Sequence, residues 1–161
     1  MNEYKLFDEW CFYIHFPKNN DWTIESYHKI IKTNNLLECI ETNNRIGENL
    51  LKKSLLFVMK NNVLPLWEHE TNIKGGCFSF KIHNKEIEKI WKCFLYKLLG
   101  KTLFNDKKID NHVNGISLSP KTSFCILKIW MDNDEYQDSN SFLPIMNIDL
   151  KLCIFKKYIS D

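Results

Sequence analysis

Trp22 and Trp67 each stand among polar and turn-forming residues, and Glu68 directly follows Trp67. Two indoles off any helical stripe, with a carboxylate beside one of them, suit a flat, cationic ligand that donates hydrogen bonds. The electron-rich ring attracts a cation lying over its face, and the carboxylate accepts a pair of N–H donors as a charge-assisted bond. Stacking contributes about 1–3 kcal/mol per aromatic, and a hydrogen bond to a charged group about 1.5–3 kcal/mol. After entropy costs, two stacks and one carboxylate reach roughly micromolar affinity. This is the chemistry of binding, not of turnover. No nucleophile has a base placed to activate it, so neither catalytic residues nor enzymatic activity is expected. His15, His28, His69, His83 and His112 lack the spacing of metal ligands. Asp132-Asn133-Asp134-Glu135 with Asp138 lacks the glycine and the bidentate glutamate of a calcium loop. Lys74-Gly75-Gly76 lacks the spacing and the Lys-Ser/Thr of a phosphate-binding loop. No metal and no cofactor are expected.

Regular elements must hold those indoles in place. Residues 9–16 are aromatic and β-prone and read as a first strand. The turn-forming Pro17-Lys18-Asn19-Asn20-Asp21 then carries Trp22 onto a loop. Residues 26–32 read as a second strand. Thr33-Asn34-Asn35 can cap a helix reaching about residue 46, with Leu36, Leu37, Ile40 and Asn44 at helical spacing. Residues 54–60 form a buried strand, Asn61-Asn62 turns the chain, and a segment containing Pro65 presents Trp67 and Glu68. Gly75-Gly76 opens a strand over 77–82 in which Cys77, Ser79 and Lys81 oppose Phe78, Phe80 and Ile82. Residues 84–99 carry the clearest helical period, with Ile87, Ile90, Trp91, Phe94, Leu95 and Leu98 on one stripe. Asn84 is the expected N-cap and Gly100 the stop. Strands over 113–119 and 124–131, a short helix or turn near 139–146, and a last strand over 150–158 complete the reading. Trp10, at the head of the first strand, and Trp91, on the helical stripe, belong to the core. Trp130, like Trp22 and Trp67, lies off any helical stripe. Strands outnumber helices without a βαβ rhythm, so the expected class is α+β with a largely antiparallel sheet.

Composition narrows the function classes. A length of 161 residues suits a single domain over 1–161. A net charge of +2 excludes the strongly basic class that grips duplexes through many phosphates, so any contact with nucleic acid is focal. The six cysteines are scattered singly, without the pairs of a zinc site or a secreted disulfide framework, and read as reduced and cytosolic. No stretch is long and apolar enough to cross a membrane, and no secretory leader is evident. A cytoplasmic location is expected.

The run Leu64-Pro65-Leu66-Trp67-Glu68-His69-Glu70-Thr71-Asn72-Ile73-Lys74-Gly75-Gly76 resembles the central signature of the eukaryotic translation initiation factor 4E family, the mRNA cap-binding proteins. Ile90-Trp91 with Leu98-Leu99-Gly100, Asn114-Gly115 with Ile129-Trp130, and, upstream, Trp10 and Trp22 follow in the family's order. The resemblance implies a curved antiparallel sheet with the cap on its concave side and helices on its convex back. It implies that Trp22 and Trp67 stack on the two faces of 7-methylguanine, whose N7 methylation makes the ring cationic and N1–H a stronger donor. Glu68 would hold the guanine edge, the Trp67 backbone N–H would meet O6, and Trp130 would touch the methyl group. Lys121 stands where the family has a phosphate-binding arginine, keeping the charge but not the bidentate fork. The implied partner is capped mRNA, recruited for translation initiation; a regulator or decoy that binds the cap without the usual scaffold is the alternative, and a cap-processing enzyme lacks its constellation.

The chain departs from the family pattern at several positions. Ile126 replaces a second phosphate-binding lysine, and Lys128, on the same strand face, offers a substitute. Cys77 replaces the arginine after Gly-Gly. On the partner-binding back, where an initiation scaffold docks a Tyr-x-x-x-x-Leu-hydrophobic helix, Leu36 stays apolar. Ile40 replaces a tryptophan there, and Lys92 replaces a leucine. Altered partner specificity follows. Both the family's N-terminal tail and its C-terminal loop beside the cap are expected to be short here.

Overall fold

The computed structural model describes residues 3–160. Strand β1 (Lys5–His15) leads through a 3-10 turn at Ile24–Ser26 to β2 (His28–Asn35), helix α1 (Leu36–Lys53) and β3 (Leu55–Lys60). After a long loop come β4 (Gly76–His83), α2 (Ile87–Leu99) and the short α3 (Lys107–Asp110). The hairpin of β5 (Val113–Pro120) and β6 (Phe124–Met131) precedes β7 (Ile154–Lys157). Every pairing is antiparallel, and the strand order is β2-β1-β3-β5-β6-β4-β7. This is the α+β class that the strand-rich pattern predicts, with the helices packed on one side of the sheet.

Period-2 alternation sorts the side chains into two clusters. Trp10, Phe12 and Ile14 of β1, Leu56 and Val58 of β3, and Leu127 and Ile129 of β6 face the helices and form the main core with Ile90, Trp91 and Phe94 of α2. Cys11, Tyr13, Phe57, Met59 and Trp130, interleaved with them, form a second cluster on the opposite, open face. In β4 the alternation runs as expected: Phe78, Phe80 and Ile82 join the main core.

The helices meet across a buried polar contact, where Trp91 Nε1 donates to Asn43 Oδ1 at 2.9 Å. Asn35 caps α1, its side chain accepting from the N–H groups of Leu37 and Glu38. Helical backbone runs from Leu36 to Ile46, as the capping pattern predicts; Gly47, at φ 67° and ψ 172°, breaks it, and a second helical stretch continues to Lys53. The buried stripe of the first stretch is Cys39, Thr42, Asn43 and Ile46, so Leu37 and Asn44 face solvent, contrary to the apolar spacing.

Other boundaries differ too. A 3-10 turn takes residues 24–26, and β2 starts only at His28. Asn84 does not cap α2: a 3-10 turn over Asn84–Glu86 precedes it, and His83 accepts from the Lys85 N–H. The last expected strand is split, with a 3-10 turn at Leu150–Leu152 before β7. In each case a side chain closes a local turn: Ser26 Oγ donates to the Thr23 carbonyl, His83 Nδ1 accepts from the Lys85 N–H, and Asp149 Oδ1 accepts from the Lys151 N–H.

Candidate functional site

On the open face, two loops and three strands enclose a cleft of about 460 Å³. Trp22 and Tyr27 come from the loop after β1, and Pro65, Trp67 and Glu68 from the loop after β3. Phe57, Ser117, Lys128 and Trp130 form its floor. Trp22 is 50% exposed and Trp67 45%, whereas Trp10 is 1% and Trp91 0% exposed. Exposed indoles beside a cleft and buried indoles in the core divide the tryptophans as their sequence settings predict.

Trp22 is held from behind. His15 is fully buried and stacks on it, with ring centroids 4.0 Å apart and planes 9° from parallel. His15 Nε2 donates to the Asp21 carbonyl at 2.8 Å, which fixes the tautomer because a carbonyl only accepts. Asp21 Oδ1 accepts from the Thr23 N–H and hydroxyl at 2.8 and 2.7 Å, closing an Asx turn around Trp22. Those Thr23 bonds hold the Asp21 carboxyl below the usual carboxylate range. One indole face is thus covered by His15.

The Trp67–Glu68 loop is pinned by a residue that sequence reasoning missed. Asn72 is fully buried, and its amide donates to the carbonyls of both Leu64 and Leu66 at 2.9 Å. Its own oxygen accepts from Asn114 Nδ2 at 2.8 Å, and the same Asn114 nitrogen donates to the Thr71 carbonyl. The loop is therefore tied internally and then tied to β5. The available signal was an asparagine inside the motif followed by Asn114-Gly115, but asparagine in a loop ordinarily reads as a turn residue. The Gly-Gly that ends the loop is steric: a Cβ on Gly75 would lie 1.9 Å from the Met131 carbonyl oxygen, and one on Gly76 2.4 Å from that of Lys156.

Trp130 is nearly buried, and its Nε1 donates to Ser117 Oγ at 2.9 Å, which fixes the ring in the floor. Tyr27, also missed from sequence, has its phenol pushed up to about 12 by burial and then by the charge of Glu68. It remains a neutral donor beside the one carboxylate lining the cleft. Lys128 lines the cleft, with Ile126 and Trp130 on the same face of β6. Lys121 does not line it: the residue is exposed at the β5–β6 turn, its N–H donating to the Phe124 carbonyl. Leu36 and Ile40 lie elsewhere, in a groove of about 280 Å³ with Leu6, Tyr96 and Leu99 of the helical side. Lys92 is exposed nearby, its ammonium 5.9 Å from the Tyr96 ring. Among the described residues, no cluster of histidine, cysteine, aspartate or glutamate could hold a metal ion.

The family model for eukaryotic initiation factor 4E matches residues 5–154. The chain belongs to that family. Initiation factor 4E is a binding protein rather than an enzyme, as the absence of a nucleophile–base pair in the sequence led us to expect. The chain is 27% identical to eukaryotic translation initiation factor 4E of Saccharomyces cerevisiae over 148 residues, covering 81% of this chain and 68% of the yeast protein. Among solved structures, it is similar to Ascaris suum eIF4E-3 in complex with an m7G cap (TM-score 0.74, 16% identity, 85% of this chain and 78% of that one). It is also similar to a schistosome eIF4E complexed with m7GpppG and 4E-BP (TM-score 0.69, 21% identity, 82% and 74%). At these identities the structural likeness establishes the initiation factor 4E fold. No described helix is long and apolar enough to cross a membrane.

Proposed function

We propose that this protein binds the 7-methylguanosine cap of mRNA in the open-face cleft and recruits messages for translation initiation in the cytoplasm. The observation that carries this reading is the placement of Trp22, Trp67 and Glu68 around one cleft. In this reading the cationic base stacks between Trp22 and Trp67, and Glu68 accepts from N1–H and the exocyclic amine. The Trp67 N–H meets O6, and Trp130 in the floor meets the methyl group. The Ascaris relative, crystallised with an m7G cap, supports it.

The test is a fluorescence titration with GTP and its 7-methyl form. Ring charge strengthens both the stacking and the Glu68 contact, so methylation should tighten binding on the order of 10- to 100-fold. Equal affinity for the two nucleotides would sink the assignment.

The helical groove favours a second reading, a cap-binding regulator that does not engage the usual scaffold. The schistosome protein was crystallised with 4E-BP, and here Lys92 stands beside Tyr96 and the groove holding Leu36 and Ile40. An ammonium beneath an incoming leucine loses hydration without gaining a counter-charge. A standard Tyr-x-x-x-x-Leu-hydrophobic peptide should therefore bind weakly by calorimetry, and Lys92→Leu with Ile40→Trp should tighten it. Sub-micromolar binding to the unaltered protein would refute this.

A further inference from the structure

Beside the slot lies a second cleft of about 240 Å³ that shares Trp67, Lys128 and Trp130 with it and continues to β7. Its far wall is Cys77, Lys156, Lys157 and Tyr158. Cys77 pairs directly with Lys156 across the β4–β7 ladder, which puts their side chains on the same face of the sheet. Three lysines thus line one cleft whose lining holds no carboxylate. One of them is engaged, since Lys157 Nζ lies 3.0 Å from Asp134 Oδ2, and that contact holds the Asp134 carboxyl low and ionised. Lys128 and Lys156 have no ion pair of this kind among the described residues.

We infer that the phosphate chain of the bound nucleotide leaves the slot toward β7 and is held by Lys128 and Lys156, not chiefly by Lys121 at the hairpin turn. The inference rests on the cap reading of the slot. A polyphosphate is the ligand class that fits: it carries several negative charges on a flexible chain, and two lysines on β6 and β7, with β4 between them, can meet it as point charges. Position 77 brings no charge to the open face, and the residue paired with it supplies one instead. Tyr158 closes the cleft as a neutral surface, because burial and the adjacent Cys77 thiol push its phenol well up.

The experiment compares 7-methylguanosine monophosphate with the triphosphate on the full chain, reading the affinity ratio between them. Lys128→Gln and Lys156→Gln should each lower that ratio about 3- to 30-fold, with unchanged melting temperature, and Lys121→Gln should lower it less than either. Asp134→Asn, which removes a negative charge next to the cleft, should raise it. Added salt should shrink the ratio in the unaltered protein far more than in the double variant. An unchanged ratio in folded Lys156→Gln, or a larger loss in Lys121→Gln, overturns the inference while leaving the slot intact. Failure of the unaltered protein to prefer the 7-methyl form over GTP would instead remove the cap reading, and this inference with it.

Discussion

Trp91→Ala should destabilise the protein by about 3–5 kcal/mol. The side chain is completely buried between α2 and the sheet, among the largest in the core. Removing it opens a cavity that well-packed neighbours fill poorly. It also strips Asn43 Oδ1 of its 2.9 Å partner inside the α1–α2 contact, and a buried acceptor left unpaired costs a further share of the same range. Domains of this kind are stable by only about 5–15 kcal/mol, so one substitution removes a large fraction. Trp22→Ala is the contrast. Half exposed and backed by His15, it should leave stability almost unchanged while costing about 1–3 kcal/mol of cap affinity. Urea unfolding of both variants beside a cap titration decides the matter. A Trp22→Ala protein that melts early but binds normally would reverse the division into slot and core indoles.

Asn72→Leu should be nearly as damaging, by another route. Leucine matches the volume but removes the amide donor from the partly buried carbonyls of Leu64 and Leu66, of which only Leu66 keeps another, the His69 N–H, and it leaves one Asn114 bond without an acceptor. At about 1–3 kcal/mol for each unsatisfied group, with partial relief by loop movement, the expected loss is about 2–5 kcal/mol. Trp67 and Glu68 ride on the segment those bonds hold, so cap affinity should fall at least about tenfold even where the variant is folded, since a misplaced carboxylate cannot take two donors. Intact affinity in a destabilised Asn72→Leu protein would show that the loop is positioned by something else.

The contrast between these residues marks what the sequence could disclose. Alternation over residues 77–82 and 124–131 and the helical stripe through Trp91 were legible because a half-buried strand or helix imposes its period on residue type. Four of the five tryptophans divided by setting alone, Trp22 and Trp67 exposed in polar loops and Trp10 and Trp91 buried in regular elements; Trp130, nearly buried in β6, did not. The Asn72–Asn114 clamp was not legible: it joins residues far apart in the chain, and its amides carry no periodic signal. The second helical stretch, up to Lys53, was not legible because it is short and Gly47 breaks the backbone between it and the first. The stacking of His15 under Trp22 needs a loop to fold back on its own strand, which no local pattern encodes. Lys121 stands away from the cleft for a related reason. Register along a ladder is readable from spacing, but the reach of a hairpin tip is not.

The sheet also shapes how such a protein can change over generations. Along β6, Leu127 and Ile129 serve the main core while Lys128 and Trp130 line the cleft, so neighbouring codons answer to different demands. A substitution at Lys128 alters the cleft and leaves the main core alone, whereas one at Leu127 or Ile129 does the reverse. On such a strand a basic residue can change rung along the open face while the residues between the rungs keep the main core packed.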